Sequence, residues 1–347
     1  MKKEEVVICS GKEWQDPWDA FVEKNSEASI SHLSCWQRII SQAYGHRPFY
    51  LVNSCEAEIH GVLPLIWLKG KLFGNTLCSM PFLDDGGICA ANETAGKMLF
   101  RKATAIRDSC KAQCLELRHR NPIDLGGQLH QDKVDMILDI TSGQDSIWNT
   151  LGPKVRNQVR KASKSGLVTR ICGAESLENF YRVFAVNMRD LGSPVHSPAF
   201  FANIFQELAD KAKIVTICDG DQTVGALICL FYKDGVFVPW ASSLREYFSK
   251  CPNNLLYWDA IRYACERGCK YFHFGRSSIG SGTYKFKQQW GAKERQLNWQ
   301  FHYRRPAQIY TPMAENPKYQ LAAQIWKRLP LSLTMLLGPR VRKYLTN

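Results

Sequence analysis

No stretch of this sequence reaches the roughly 20 consecutive apolar residues that a membrane-spanning helix needs. The longest apolar run near its end, "LPLSLTMLL" at 329–337, falls far short, so no transmembrane span is expected. The opening "MKKEEVVICSGKEW" has basic residues but lacks the apolar segment of a secretory signal. None of the thirteen cysteines forms a C-x-x-C pair. Cys110/Cys114 and Cys265/Cys269 stand four apart with no histidine at ligand spacing, which argues against structural zinc. An odd number of cysteines scattered through apolar runs reads as free buried thiols in a reducing compartment, hence a cytoplasmic protein. Two phosphate motifs are also missing from the glycine-rich stretch "FGRSSIGSGTYKFKQQWGA" (274–292). A P-loop needs Lys after its second glycine, and Ser281 follows Gly280. A dinucleotide fingerprint needs a third glycine three residues after Gly282, and Lys285 stands there. No paired carboxylates and no Ser-His-Asp arrangement argue for hydrolysis.

What is present begins with charge. The chain of 347 residues is 45% hydrophobic and carries a net charge of +13, long enough for two ordinary domains. Residues 151–170 hold six Lys/Arg and no acid, and residues 301–347 hold eight Lys/Arg and one Glu. Those two segments account for the whole net charge, and the rest of the chain is balanced. Concentrated basic patches suit a polyanionic or phosphorylated partner, or an anionic membrane surface; an ordinary solvated helix face is the plain alternative.

The second feature is a repeat. "FYLVNSCEAEIHGVLPLIWL" (49–68) and "KIVTICDGDQTVGALICLFY" (213–232) both read as strand, acidic turn, strand, with Gly61 and Gly225 early in the second strand. A helix precedes each hairpin. Before the second, Ser197 fits a helix N-cap and Pro198 the first helical position. After each hairpin a longer helix runs into a strand ending in Arg118 or Arg276, and Gly268 suits the stop of the second long helix. The pattern predicts a duplicated α/β unit with its junction near "DITSGQDSIWNTLG" (139–152). The expected domains are 1–147 and 148–300, followed by a basic C-terminal extension over 301–347.

Three stretches then carry a resemblance: "KVRNQVRKASKSGL" (154–167), "NMRDLGSPVHSPAFF" (187–201) and "YKFKQQWGA" (284–292). They are similar to signature stretches of FemAB-type transferases, nearest to the FemAB-related subgroup associated with exosortase/PEP-CTERM exopolysaccharide systems. The resemblance covers roughly residues 20–300. It implies an α/β (α+β) fold of two tandem GNAT-like (acyl-CoA N-acyltransferase-like) domains, with mixed, mostly antiparallel sheets flanked by helices. It implies transfer of an acyl or aminoacyl group to an amine. The long coiled-coil insertion of some tRNA-using members is absent, and the pyrophosphate loop of ordinary GNAT enzymes is not evident. The donor is therefore open between aminoacyl-tRNA and acyl-CoA as co-substrates, with no resident cofactor expected.

Acyl transfer to an amine needs stabilisation of a developing oxyanion rather than a Ser or Cys nucleophile. The resemblance implies a functional lysine in the Y-x-F-K region, which Lys287 matches. Read as a strand, 284–288 would turn Lys285 and Lys287 to opposite faces. Tyr284 would donate a hydrogen bond, Arg276 would grip a carboxylate or phosphate, and Ser281 would contact substrate. Phe286 and Trp290 read as core. Asn187, Arg189 and His196 form a second polar group around Gly192 and Pro194; Arg189–Asp190 also reads as a simple pair, and His196 as a loop histidine. At helical spacing Lys154, Asn157, Lys161 and Lys164 share one stripe, with Arg156 and Arg160 on a neighbouring one. This face would hold a phosphorylated, nucleotide-linked or lipid-linked acceptor, or an RNA backbone. Residues 325–345 read either as a peripheral membrane contact at the inner face of the membrane or as a tail docked on the protein itself, with Pro330 and Pro339 interrupting any long helix. The two rival readings are an acyl-CoA-dependent N-acyltransferase and a non-enzymatic, degenerate transferase fold acting as a binding or membrane-associated accessory.

Overall fold

The computed structural model describes residues 4–56, 58–70, 74–305 and 317–346. The elements run β1 (Glu5–Ile8), α1 (Gln15–Lys24), α2 (Trp36–Tyr44), β2 (Arg47–Cys55), β3 (Glu58–Lys69), β4 (Asn75–Ser79), β5 (Cys89–Ala90), α3 (Glu93–Ser109), β6 (Cys114–His119), β7 (Gln128–His130) and β8 (Lys133–Asp139). They continue through α4 (Gly143–Thr150), α5 (Pro153–Lys164), β9 (Leu167–Cys172), α6 (Leu177–Leu191), α7 (Pro198–Glu207), β10 (Ala212–Asp219), β11 (Gln222–Tyr232), β12 (Gly235–Ser243), α8 (Pro252–Glu266), β13 (Tyr271–Ser278) and α9 (Gly282–Gln288). The last are β14 (Lys293–Gln296), β15 (Asn298–Tyr303), α10 (Pro317–Trp326) and α11 (Leu331–Arg342).

The chain forms two compact units, Met1–Asp132 with Gln296–Pro312 and Arg340–Asn347, and Lys133–Arg295 with Met313–Pro339. Each unit is built on one sheet. The first has the order β1-β2-β3-β4-β6-β15-β7, with β5 beside β3; the second has β14-β8-β13-β12-β11-β10-β9. Each sheet combines antiparallel ladders with a parallel pair, β4 with β6 in the first and β12 with β13 in the second. The hairpins of the repeat correspond in detail. Both carry a register shift, between Asn53 and Ser54 in one and between Ile217 and Cys218 in the other. The glycine beyond each shift lies at a close approach. A Cβ on Gly61 would meet Leu99 Cδ1 at 2.9 Å, and one on Gly225 would meet Ser243 Oγ at 2.5 Å.

Local signals set the helices as expected. Ser197 Oγ accepts the Phe200 N–H at 3.1 Å, with Pro198 opening α7. Gly192, at φ +76, closes α6, and the Ser193 N–H reaches back to the Met188 carbonyl. Gly268, at φ +74, follows α8. In the first unit the apolar faces of β2, β3 and β6 pack on Leu99, Ala103 and Ile106 of α3. In the second, Val155, Val159 and Ala162 of α5 join Leu256, Ala260 and Ile261 of α8 and Trp290 in one core, with Phe286 packed against it.

Three features differ from the sequence expectation. First, β8 pairs with β13, and β15 pairs with β6 and β7, so the units divide at Asp132/Lys133 and Arg295/Gln296 rather than near 147 and 300. The junction stretch forms the end of β8 and all of α4. Second, residues 284–288 are helical, in α9, because Ser281 caps that turn: its Oγ accepts the Tyr284 N–H at 3.2 Å. Third, Pro339 lies inside α11 instead of interrupting it, while Pro330 does fall between α10 and α11. Residues 306–316 of the basic extension lie outside the described residues.

Candidate functional site

In the second unit the parallel ladder of β12 and β13 runs from Gly235↔Tyr271 to Phe237↔His273. Past it, β13 bulges against β8 between His273 and Arg276, with Gly275 at φ +76. Lys287 of α9 sits over this bulge. It is only 7% exposed, and its ammonium donates to the carbonyls of Gly275 at 2.7 Å and Arg276 at 2.9 Å. A buried ammonium is stable only when its hydrogens find acceptors, and the bulge supplies two. Lys285 is exposed. Two residues apart on a helix is about 200° of rotation, so the two lysines still diverge, but for a helical reason.

The other residues expected here take defined places. Ser281 is the α9 cap, and its hydroxyl also meets Thr283 Oγ1 at 3.0 Å. The Tyr284 hydroxyl donates to Glu294 at 2.9 Å, a bond that raises its pKa and keeps it protonated. Arg276 is half-buried on β13 opposite Asp135. Asp135 is itself buried, accepting from Arg295 at 2.9 Å and lying 2.8 Å from His273 Nδ1.

The second polar group does not converge on one point. Asn187 Nδ2 donates to Ser242 Oγ at 2.9 Å, on β12. Arg189 pairs with its neighbour Asp190 at 2.8 Å. His196 is 1% exposed and stacked on Phe200, at 4.6 Å between centroids, inside a cluster with Phe201 and Trp240. It lies on the loop between α6 and α7, as the sequence reads, and that loop position is packed in the core.

The basic segment is helix α5. Lys154, Asn157, Arg160, Lys161 and Lys164 are exposed, and Arg156 is half-buried with its Nε shielded from solvent. Beside it lies a groove of about 540 Å³, lined among others by Trp148, Arg160, Lys164 and Trp258. The Trp148 and Trp258 rings are 4.8 Å apart, and the Arg160 guanidinium lies 5.4 Å from the Trp148 centroid.

A partly enclosed space lies in the first unit, and none of the residues expected at the site lines it. A cavity of about 510 Å³ opens past the β4–β6 pair, between residues 85–90, the start of α3 and residues 118–125. His32, Asp85, His119 and Arg120 line it. Ser29 N–H donates to His32 Nδ1 at 3.1 Å, so Nε2 carries the hydrogen and donates it to the Gly87 carbonyl at 3.0 Å. Burial lowers the pKa of this ring. Burial alone would raise the pKa of Asp85, but its ion pair with Arg120, then His32 and the serine hydroxyls, hold it below the usual range. Ser29 Oγ donates to Asp85 at 2.7 Å. Arg118 is fully buried, held by Glu116 at 2.7 Å, by the carbonyls of Leu83 and Thr346, and by the Trp299 ring face at 4.0 Å.

His119 differs from all of these. It is 3% exposed, and neither ring nitrogen has a hydrogen-bond partner of good geometry, although the Gln300 side chain approaches it. Burial, with His32 and His302 nearby, lowers its pKa to about 3, so the ring is neutral. A buried imidazole on the wall of a cavity keeps hydrogen-bonding capacity that its protein neighbours use only weakly. No local motif announces this site, because its residues come from separate elements. Its nearest sequence signals are the strand end "CLELRHR" and the "DDGG" turn at 84–87.

Comparisons with known proteins agree with the architecture. Residues 153–288 match the family model described as an acetyltransferase (GNAT) domain. Over 216 residues the chain is 24% identical to the lipid II:glycine glycyltransferase of Staphylococcus aureus (strain MRSA252), covering 55% of this chain. The chain thus spans about half (50%) of the length of that curated relative. The crystal structure of FemX superposes with a TM-score of 0.66 at 15% identity, over 85% of this chain and 96% of FemX. A tandem GNAT protein from the clavulanic acid biosynthesis pathway superposes with a TM-score of 0.54 at 11% identity, over 88% of this chain and all (100%) of that one. The fold is a tandem GNAT fold, two mixed α/β sheets flanked by helices.

Proposed function

We propose that this protein is a Fem-like transferase that moves an acyl or aminoacyl group to an amine on an envelope or exopolysaccharide precursor. The observation that carries the reading is Lys287, a buried ammonium fixed on the bulge of β13 just past its parallel pair in a GNAT-type unit. In the reaction the acceptor amine's lone pair attacks the donor carbonyl and the carbonyl π pair moves to oxygen. Collapse forms the amide and expels the donor's hydroxyl or thiol, which takes up the proton lost from nitrogen. Lys287 supplies fixed positive charge where the oxyanion develops, which needs no reorganisation during the step. Tyr284 positions α9 through Glu294, and Arg276 presents its guanidinium to a donor or acceptor anion.

The first-unit cavity, taken by itself, is a place for an amine-bearing ligand in this reading. Its cations are committed internally, Arg118 to Glu116, Arg120 to Asp85 and Lys97 to Glu93, and Glu27 and Asp124 add acidic groups to its lining. That lining suits an amine-bearing portion with polar groups for His119. In the second unit, the α5 cations would hold a phosphorylated or lipid-linked group, or an RNA backbone. Aminoacyl-tRNA is the donor we favour from the resemblance of the signature stretches to FemAB-type transferases, and acyl-CoA is the second reading, favoured by the acetyltransferase domain match. The exosortase/PEP-CTERM setting rests on the signature stretches at 154–167, 187–201 and 284–292.

The test is a donor competition at fixed salt, because a +13 protein binds RNA unspecifically. Preference for charged over uncharged tRNA supports the aminoacyl donor; displacement by acyl-CoA supports the second reading. Binding of neither removes the transferase proposal. With a donor in hand, Lys287→Ala should lower turnover by about 10²–10³ at unchanged circular dichroism. Unchanged turnover overturns the role of Lys287.

A further inference from the structure

The last two helices expose aliphatic side chains that a water-facing surface does not need. Leu321 and Ile325, one turn apart on α10, are 64% and 55% exposed. On α11, Leu333, Leu336 and Leu337 are exposed at the i, i+3, i+4 spacing of one stripe, and the exposed Arg340 continues it at i+7. The opposite side of α11 is the docked one. Thr334 and Gly338 are buried, and a Cβ on Gly338 would meet Val195 at 2.8 Å. α10 is held in the same way, with the Ala323 carbonyl 2.7 Å from where a Cβ on Gly192 would stand. These helices are therefore seated by their small residues, with their leucines turned outward.

The charge carried by these helices themselves has one sign. Residues 317–346 contain no Asp or Glu and six Lys/Arg. Among them Lys327 and Arg328 are exposed just past α10. Large aliphatics beside cations, with no acid to repel headgroups, are the composition of a helix pair lying in an anionic interface. A contact between two copies of this face would instead bring like charges together.

We propose that α10 and α11 form a peripheral membrane-docking surface for anionic lipid bilayers, with the leucines entering the headgroup–acyl boundary and Lys327, Arg328 and Arg340 meeting lipid phosphates. This inference does not depend on the transfer reaction, and its test needs no substrate. The full chain is floated with vesicles of phosphatidylcholine alone and of phosphatidylcholine with phosphatidylglycerol. It floats with the anionic vesicles and not with the neutral ones. Raising salt from about 0.1 to 1 M, which shrinks the screening length from about 10 to 3 Å, releases most of it. Leu321→Glu/Ile325→Glu lowers the bound fraction about tenfold or more, since two buried aliphatics and their membrane contact are lost together. Arg328→Glu, which alters one exposed charge, weakens binding and guards against misfolding of the first variant. Failure to float, flotation indifferent to both variants, or a dimer in sedimentation that Leu321→Glu/Ile325→Glu dissociates would each overturn the proposal; the last assigns the face to a second copy.

Discussion

The two units use the same architectural corner in opposite ways. Each has one parallel strand pair, and each has a long helix leading into the second strand of that pair. In the first unit the space past β4 and β6 is a cavity whose wall includes the buried His119 imidazole. In the second, Tyr257, Phe274, Phe286 and Trp290 fill the core beneath β13, and Lys287 binds the bulge carbonyls from above. The counterpart strand ends differ likewise: Arg118 is fully buried and locked to Glu116, and Arg276 is half-buried. A duplicated fold has thus kept its backbone plan while one copy holds open space and the other holds fixed charge.

The contrast can be broken most forcefully at Arg118. Arg118→Leu leaves Glu116 as a buried charge without its partner, which typically costs about 3–5 kcal/mol. The double variant Glu116→Gln/Arg118→Leu should recover much of that in urea titrations. Arg276→Leu should cost far less. Equal losses at the two arginines would show that the corners do not differ as described.

Acid should then separate the units. The pKa values of His32, His46, His119 and His302 in the first unit are all lowered, burial being the largest cause in each, with His119 at about 3 and His302 at about 4. A histidine with a lowered folded pKa binds its proton more readily when unfolded. The stability it contributes is present above about pH 6.5 and falls as pH drops toward the folded value. For His119 the loss on going to pH 5 is about 2 kcal/mol. Asp85, with its lowered pKa, loses its contribution only below about pH 4. Hydrogen exchange at pH 7 and pH 5 should therefore show first-sheet amides losing protection before those of β10–β12.

A smaller effect has the opposite sign. His119→Leu removes two unsatisfied buried nitrogens, so it should stabilise the fold by about 1 kcal/mol while weakening acceptor binding. A destabilised variant would mean that His119 is bonded in solution and that the cavity holds no idle group.

Much of this fold was legible from one sequence. The hairpins announced themselves through Gly61 and Gly225, and α7 through Ser197-Pro198, because those signals are local and steric. The exchange of β8 and β15 between the sheets was not legible. Strand partners are chosen over long separations, and nothing in "KVDMILD" or "NWQFHY" names a neighbour. At 284–290, Tyr284 and Phe286 alternate as in a strand, while Phe286 and Trp290 are spaced as in a helix, and the Ser281 cap decides between them. The cavity of His32, Asp85, His119 and Arg120 was invisible for the reason that makes it a site: its residues are assembled by the fold, not by spacing.

That same cap gives the finest test of the comparison. α9 is a seven-residue helix, too short to be stable alone, so its position depends on Ser281 at one end and Lys287 near the other. If Lys287 fixes the corner by its two carbonyl bonds, the cap is a minor contributor. Ser281→Ala should then cost only about 0.5 kcal/mol, the low end for a lost N-cap, and Ser281→Thr should restore it. The amide of Tyr284 should exchange faster in Ser281→Ala while those of β13 stay protected. A loss as large as that of Arg118→Leu would move the anchor of this corner from the lysine to the cap. The fixed charge of the second unit would then be only as rigid as the turn that carries it.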